Sequence, residues 1–134
     1  MRPHLGIDIA APADLAWQEL IQLRNWPEWG PTVSGARLDN GSDRVFAGAT
    51  GAVQAPVGLW LPFRVTDWQD TGTRRTWSWR VGGVPATTHT VIDRGAARCR
   101  VEMSVPLFAP LYLGVVAPAL RRIKRRVEGD RSGR

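Results

Sequence analysis

Few side chains in this chain of 134 residues are suited to acid–base or nucleophilic chemistry. The sequence has two histidines, His4 and His89, and one cysteine, Cys99. His89 lies in an alternating segment, and facing inward it would be the best general acid–base group, because imidazole titrates near neutral pH. Cys99 alternates with Val101 and Met103, which predicts a small buried apolar side chain rather than a nucleophile.

Asp67 is the carboxylate that the pattern makes ambiguous. It falls in register with Phe63 and Val65, so regular alternation would bury it, at a high cost unless it is paired. The alternative is a β-bulge at this point, which would turn Trp68 toward the opposite face instead. Both interpretations remain open from the sequence.

Several cofactor-dependent chemistries lack their motifs. One cysteine cannot form an internal disulfide or a cysteine zinc cluster, and two distant histidines have no metal-ligand spacing. The segment 48–51 (GATG) lacks the lysine that a phosphate-binding loop requires, and no nucleophile-elbow motif is present. We therefore expect no cofactor and no metal.

Aromatic and apolar side chains are plentiful, and ligand pockets are lined mostly by such groups. Trp17 has the position of a core residue, Trp77 and Trp79 suit either a core or a pocket wall, and Trp60 suits a pocket entrance. The predicted ligand-binding residues are Trp26, Trp29, Trp60, Phe63, Val65, Trp77, Trp79, His89, Val91, Val101, Met103, Phe108, Tyr112 and Val116.

The stretch 24–31 (RNWPEWGP) places two tryptophans three residues apart between two prolines. Only about one helical turn fits there, and that spacing puts Trp26 and Trp29 on one face. We predict that at least one of them closes an end of the concave side of the sheet. Glu28 is then expected to point toward water and to take no part in chemistry.

The elements that must position these residues follow from hydrophobic periodicity. A strand is expected at 4–10 and a helix from Pro12 to about Arg24. In the last helix of the chain, Pro118 is expected to cause a break or a kink. The remaining predicted strands cover 32–38, 47–55, 62–69, 75–81, 86–92 and 98–105, and the last helix covers 107–128. Strands in a run with segregated helices indicate an α+β domain. We expect a strongly curved antiparallel sheet of about six to seven strands around a long C-terminal helix, with two short helices after the first strand.

Four segments together resemble a known superfamily. They are 7–17 (IDIAAPADLAW), 26–29 (WPEW), 86–90 (ATTHT) and the closing helix that runs from Leu107 into the arginines. Their order and spacing resemble the START-related (SRPBCC) superfamily with its helix-grip fold, and within it the polyketide cyclase/dehydrase and lipid-transport group. The resemblance implies a deep apolar cavity between the sheet and the last helix, where members of the family bind lipids, polyketides or other apolar molecules.

The charge is concentrated at the C-terminus. The net charge is +6, and residues 121–134 alone hold seven basic and two acidic side chains. We predict one domain over 1–128, a basic and disordered tail over 129–134, and a cytoplasmic location, since the uncharged run 106–120 is short for a membrane span. A solvated helix end is the simplest interpretation of the arginines. An anionic membrane surface is a possible partner, nucleic acid is not expected, and a monomer and a homodimer both remain open.

Three functions compete on these observations. The first is a carrier or sensor that binds an apolar small molecule of lipid, polyketide or aromatic type. The second is a cyclase, aromatase or dehydratase that uses His89 together with Arg80, Asp67 or Tyr112. The third is a membrane-surface module through 106–126, in which the segment 106–120 inserts at the interface and the arginines after it hold acidic head groups. The shortage of acid–base groups favours the first function.

Overall fold

The computed structural model describes residues 4–30, 33–55, 58–105 and 113–131, without the side chains of 113–115 and 130–131. The strands are β1 (His4–Ile9), β2 (Gly35–Leu38), β3 (Thr50–Gln54), β4 (Trp60–Asp70), β5 (Arg74–Val81), β6 (Val84–Asp93) and β7 (Cys99–Ser104). The helices of these residues are α1 (Ala13–Ile21), α2 (Trp26–Trp29) and α3 (Leu113–Arg131), with a 3₁₀ turn at Leu23–Asn25.

All seven strands form one curved antiparallel sheet in the order β1-β7-β6-β5-β4-β3-β2. Strands β2 to β7 follow one another as a meander. Strand β1 pairs with β7 and forms the edge of the sheet opposite β2. The helix α3 packs against β1, β7, α1 and α2. The predicted α+β helix-grip architecture is therefore confirmed, with the two short helices α1 and α2 after the first strand.

The core lies between the inner face of the sheet and the apolar stripe of α3. Cys99, Val101 and Met103 alternate as buried residues along β7, while the stripe on α3 consists of Val116, Leu120, Ile123 and Val127. The helix is continuous through Pro118, so of the two predicted alternatives, a kink or a break, the break does not occur. Proline removes one backbone hydrogen bond near the start of the helix, and the burial of the stripe outweighs that loss.

Some boundaries differ from those predicted. The strand expected at 32–38 begins at Gly35, and Trp60 is the first residue of β4 instead of part of a loop. The last helix is described from Leu113 onward, and 107–112 lie outside the described residues. This helix continues to Arg131, three residues beyond the helix end expected at 128.

A β-bulge in β4 resolves the ambiguity at Asp67. The register with β5 shifts between Val65 and Asp67, so Asp67 pairs with Ser78 on the outer face and is exposed. Trp68 consequently turns inward and packs edge-to-face on Trp17, with ring centroids 5.4 Å apart. The buried carboxylate that regular alternation implied does not form.

Ion pairs attach the C-terminal half of α3 to the rest of the domain. Arg126 pairs with the buried carboxylate of Glu19 and lies 3.8 Å from Glu28. Lys124 pairs with Glu128, which also accepts a hydrogen bond from the backbone N–H of Ala10 at 2.9 Å. Both contacts lower the pKa of Glu128. Within the described ranges, no helix is long and apolar enough to cross a bilayer.

Candidate functional site

Six ring side chains meet on the concave side of the sheet. The sheet contributes four of them from the neighbouring strands β4, β5 and β6, and α2 supplies the other two. We call this group the aromatic cluster, and its members are Trp26, Trp29, Phe63, Trp77, Trp79 and His89. The predicted pairing of Trp26 and Trp29 on one buried face of a short turn is confirmed, because these side chains are only 2% and 7% exposed.

Trp77 is the centre of the aromatic cluster. The His89 ring stacks on it with centroids 4.0 Å apart and planes 19° apart, and Trp26 stacks on it at 5.7 Å and 13°. Trp79 stands edge-on to Trp77 at 5.5 Å and 73°. Offset stacks and edge-to-face contacts are the preferred geometries of aromatic pairs, so the cluster is a packed and ordered wall.

A chain of hydrogen bonds runs through the polar atoms of the aromatic cluster. Trp79 Nε1–H donates to Thr87 Oγ1 at 3.1 Å, and that hydroxyl lies 3.0 Å from His89 Nε2. His89 Nδ1 lies 3.4 Å from the carbonyl oxygen of Trp77, which can only accept. In a neutral imidazole, Nδ1 therefore carries the proton, and Nε2 accepts from Thr87.

His89 faces inward, as general acid–base chemistry would require, but its surroundings suppress that chemistry. Burial lowers the pKa of His89 to about 3, against a small opposing effect of its hydrogen bond to the Trp77 carbonyl. An acid with that pKa is fully deprotonated at neutral pH, and both ring nitrogens are already engaged. As it stands, His89 cannot donate a proton in this site and is a weak base.

One donor in the aromatic cluster is left over. Trp26 Nε1 donates to the Leu20 carbonyl at 2.8 Å, and Trp29 Nε1 donates to the Glu19 carbonyl at 3.2 Å. Trp77 Nε1 is equally buried, yet no acceptor among the described residues bonds to it. A buried donor without a partner costs about 1–3 kcal/mol, and an acceptor that reached this N–H would remove that cost.

The predicted binding residues divide into four groups. Trp79 is partly buried, Trp60 lies outside the aromatic cluster on the outer face of β4, and Phe108 and Tyr112 lie outside the described residues. The buried ones are Trp26, Trp29, Phe63, Val65, Trp77, His89, Val91, Val101, Met103 and Val116. Contact of any of these residues with a ligand stays a prediction.

Two expected partners of His89 are elsewhere, and one unexpected partner is present. Arg80 and Asp67 are exposed on the outer face of the sheet, so the catalytic group proposed around His89 is not assembled from them. Thr87, which the sequence analysis missed, bonds to His89 instead. The sequence could have identified Thr87 as a neighbour of His89, because residues two apart in a strand lie on the same face.

Cys99 is buried at 1% exposure, as predicted. Burial, followed by the charges of Asp93, Asp8 and Glu128, raises its pKa to about 11, so it is not an activated nucleophile. Across the described ranges, no group of three histidine, cysteine or acidic side chains is placed to hold a metal ion.

Comparison with known families agrees with this geometry. Residues 5–129 match the family described as polyketide cyclase/dehydrase and lipid transport. The chain belongs to that family. No protein of curated function matches it in sequence.

Solved structures share the fold of this polyketide cyclase/dehydrase family member at low sequence identity. Protein jhp0584 of Helicobacter pylori has a TM-score of 0.75 at 8% identity, over 92% of this chain and 86% of that one. The di-domain aromatase/cyclase BexL of the BE-7585A biosynthetic pathway has a TM-score of 0.65 at 16% identity, over 96% of this chain and 46% of that one. Norcoclaurine synthase of Thalictrum flavum has a TM-score of 0.57 at 15% identity, over 98% of this chain and 96% of that one. At these identities the likeness extends to the fold alone.

Proposed function

We propose that this polyketide cyclase/dehydrase family member binds an apolar small molecule on the concave side of its sheet, as a carrier or sensor. The observation that carries the proposal is the buried indole N–H of Trp77, which has no acceptor among the described residues. Ligand sites combine an apolar wall with a few orienting polar groups, and the aromatic cluster with this one donor has that composition.

The same donor indicates the chemistry of the ligand. A molecule that offers a carbonyl, hydroxyl or ether oxygen to Trp77 Nε1 would remove the cost of the unpaired N–H. The neighbouring rings of Trp26, Trp79 and His89 would contact its apolar part. An oxygen-bearing lipid, polyketide or aromatic compound meets both requirements, whereas a strongly charged one would have to shed its hydration in an apolar site.

An enzymatic role for His89 is less well supported. Cyclases and dehydratases move protons, and the His89 ring has no free nitrogen and a pKa of about 3. Proton transfer by His89 would require the ligand first to break the hydrogen bond between Thr87 and His89. We therefore place binding ahead of catalysis for this site.

The test is native mass spectrometry of the protein purified from its own host, followed by extraction of any bound compound. The compound is then titrated into Trp77→Phe, which keeps a ring and removes the N–H. We expect affinity to fall about five- to tenfold, the value of one hydrogen bond. Trp17→Phe is the matched control, because Trp17 packs on Trp68 outside the aromatic cluster. If no apolar compound is carried, or if both variants bind equally well, the proposal fails.

A further inference from the structure

The two hairpin loops at one end of the sheet carry the exposed apolar side chains Leu59, Trp60 and Val84, which are 57%, 39% and 49% exposed. Trp60 begins β4 with Leu59 directly before it, and Val84 begins β6. The Gly82 N–H bonds to the carbonyl of Pro62, so the first residues of β4 lie beside the β5–β6 turn. Large exposed apolar groups that are grouped together mark an interaction surface.

Arginines surround these apolar side chains. The Arg37 guanidinium lies over the Trp60 ring, 4.5 Å from its centroid. Arg64 and Arg80 are direct cross-strand neighbours on the outer face, and both are exposed. Two like charges in that position repel each other, so the fold tolerates a local excess of positive charge there. We call Arg37, Leu59, Trp60, Arg64, Arg80 and Val84 the hairpin-tip surface.

Acidic residues are segregated from this surface. The segments 29–38, 44–66 and 71–92, which include this end of strands β2 to β6 and extend beyond it, contain no aspartate or glutamate. The acids of the sheet turns, Asp39, Asp43, Asp70 and Asp93, all belong to turns at the opposite end. Such an asymmetry gives the hairpin tips a positive potential that attracts an anionic partner.

We propose that the hairpin-tip surface docks on an anionic lipid bilayer. Trp60 at the start of β4 and Leu59 directly before it would enter the interface, where the amphipathic indole is favoured. The arginines would keep their guanidinium groups at the phosphate level while their stems cover apolar surface. An anionic protein is the competing occupant, but the combination of exposed apolar side chains with neighbouring arginines favours a lipid surface.

This surface differs from the basic C-terminal segment that the sequence suggested for the same role. Lys124 and Arg126 of that segment are engaged in ion pairs with Glu128 and Glu19. Arg121 and Arg125 are exposed on α3 and provide an internal comparison. The inference is independent of the ligand proposal, because it uses the outer face and the loops instead of the aromatic cluster.

The experiment is co-sedimentation of the full chain with vesicles of phosphatidylcholine alone and of phosphatidylcholine with phosphatidylglycerol. We expect binding to the anionic vesicles only. The double variant Leu59→Ser and Trp60→Ser should weaken it at least about tenfold. The double variant Arg37→Gln and Arg64→Gln should weaken it roughly tenfold and reduce its salt dependence.

Matched controls lie at the opposite end of the sheet. Phe46→Ser removes an apolar side chain that is 41% exposed, and Arg74→Gln removes an exposed arginine. Both should bind like the wild type. Thermal unfolding verifies that each variant is folded, and Leu59→Ser alone replaces the double variant should that one unfold.

Three outcomes would overturn the proposal. The first is no binding to anionic vesicles, or equal binding to neutral ones. The second is a loss of binding in Arg121→Gln with Arg125→Gln but not in the tip variants, which would assign the contact to α3. The third is a dimer in solution that the tip variants dissociate without any change in vesicle binding, which would make a second copy the occupant.

Discussion

Thr87 Oγ1 lies 3.0 Å from His89 Nε2, and this contact gives the acceptor nitrogen of the buried neutral imidazole its partner. The hydroxyl also accepts the N–H of Trp79, so its own proton is directed to the imidazole. His89 is thereby a neutral acceptor at Nε2 and a donor at Nδ1. His89, the best acid–base candidate in the sequence, is therefore a hydrogen-bonded member of the aromatic cluster.

Removal of the Thr87 hydroxyl should destabilise the fold. Thr87→Val keeps the shape but leaves Trp79 Nε1 and His89 Nε2 without their shared partner, at a cost of about 2 kcal/mol in the free energy of unfolding. Urea denaturation measures it. Thr87→Ser retains the hydroxyl and should cost about half as much or less. Equal stability of the valine variant and the wild type would contradict the hydrogen-bond chain.

The burial of His89 predicts a pH dependence of stability. Because its pKa falls to about 3 on folding, the unfolded chain binds more protons between that value and pH 6.5, and stability drops as the pH falls through this window. The loss between pH 7 and pH 5 should be about 2 kcal/mol. His89→Gln should lack this part of the pH dependence, whereas the exposed His4→Gln should keep it. If the free energy of unfolding of the wild type and of His89→Gln depended on pH in the same way, the lowered pKa of His89 would be refuted.

The ion pair of Arg126 with Glu19 should matter more than a surface pair, because the Glu19 side chain is only 5% exposed. Arg126→Gln leaves a buried carboxylate without this partner and should cost about 2–3 kcal/mol. The exposed neighbour Arg125→Gln should change stability by less than about 0.5 kcal/mol. A double-mutant cycle with Glu19→Gln isolates the pair, and additive effects would show that the two residues are not coupled.

Cys99 should resist thiol reagents in the folded protein. Its pKa of about 11 makes the thiolate fraction at pH 8 about a hundredfold lower than for an ordinary thiol, and burial adds a steric block. Labelling with a chromogenic disulfide should proceed only in urea, at the rate of global or local opening. Rapid labelling under native conditions would mean that the thiol is more accessible than its packing implies.

Gly51 should tolerate no side chain. A Cβ there would collide with the backbone carbonyl of Arg37 and would lie 2.9 Å from Leu38 Cα and 3.0 Å from Phe63 Cε2. Gly51→Ala should therefore separate β2 from β3 and cost about 3 kcal/mol or more. Gly6→Ala is the matched control, because the atoms it meets belong to the movable guanidinium of Arg100. A loss below about 1 kcal/mol is expected there, and equal losses in both variants would argue against the backbone clash.

Local pattern was sufficient to predict most of the architecture. The alternation along β7 identified its buried face, and the spacing of Val116, Leu120, Ile123 and Val127 identified the packed face of α3. Such patterns are reliable because each face of a strand or stripe of a helix meets one environment. The resemblance carried by the segments 7–17 and 26–29 correctly predicted the family.

Tertiary structure decided the chemistry of the site. Asp67 and Trp68 exchange faces because one extra residue in β4 inverts all later side chains, and the register with β5 determines whether that residue is there. The state of His89 likewise depends on Thr87, Trp77 and the burial they share. Sequence determined which faces are apolar, since periodicity is a local property. The pKa and the free hydrogen-bonding atoms depend on contacts between strands, and only the folded chain brings those together.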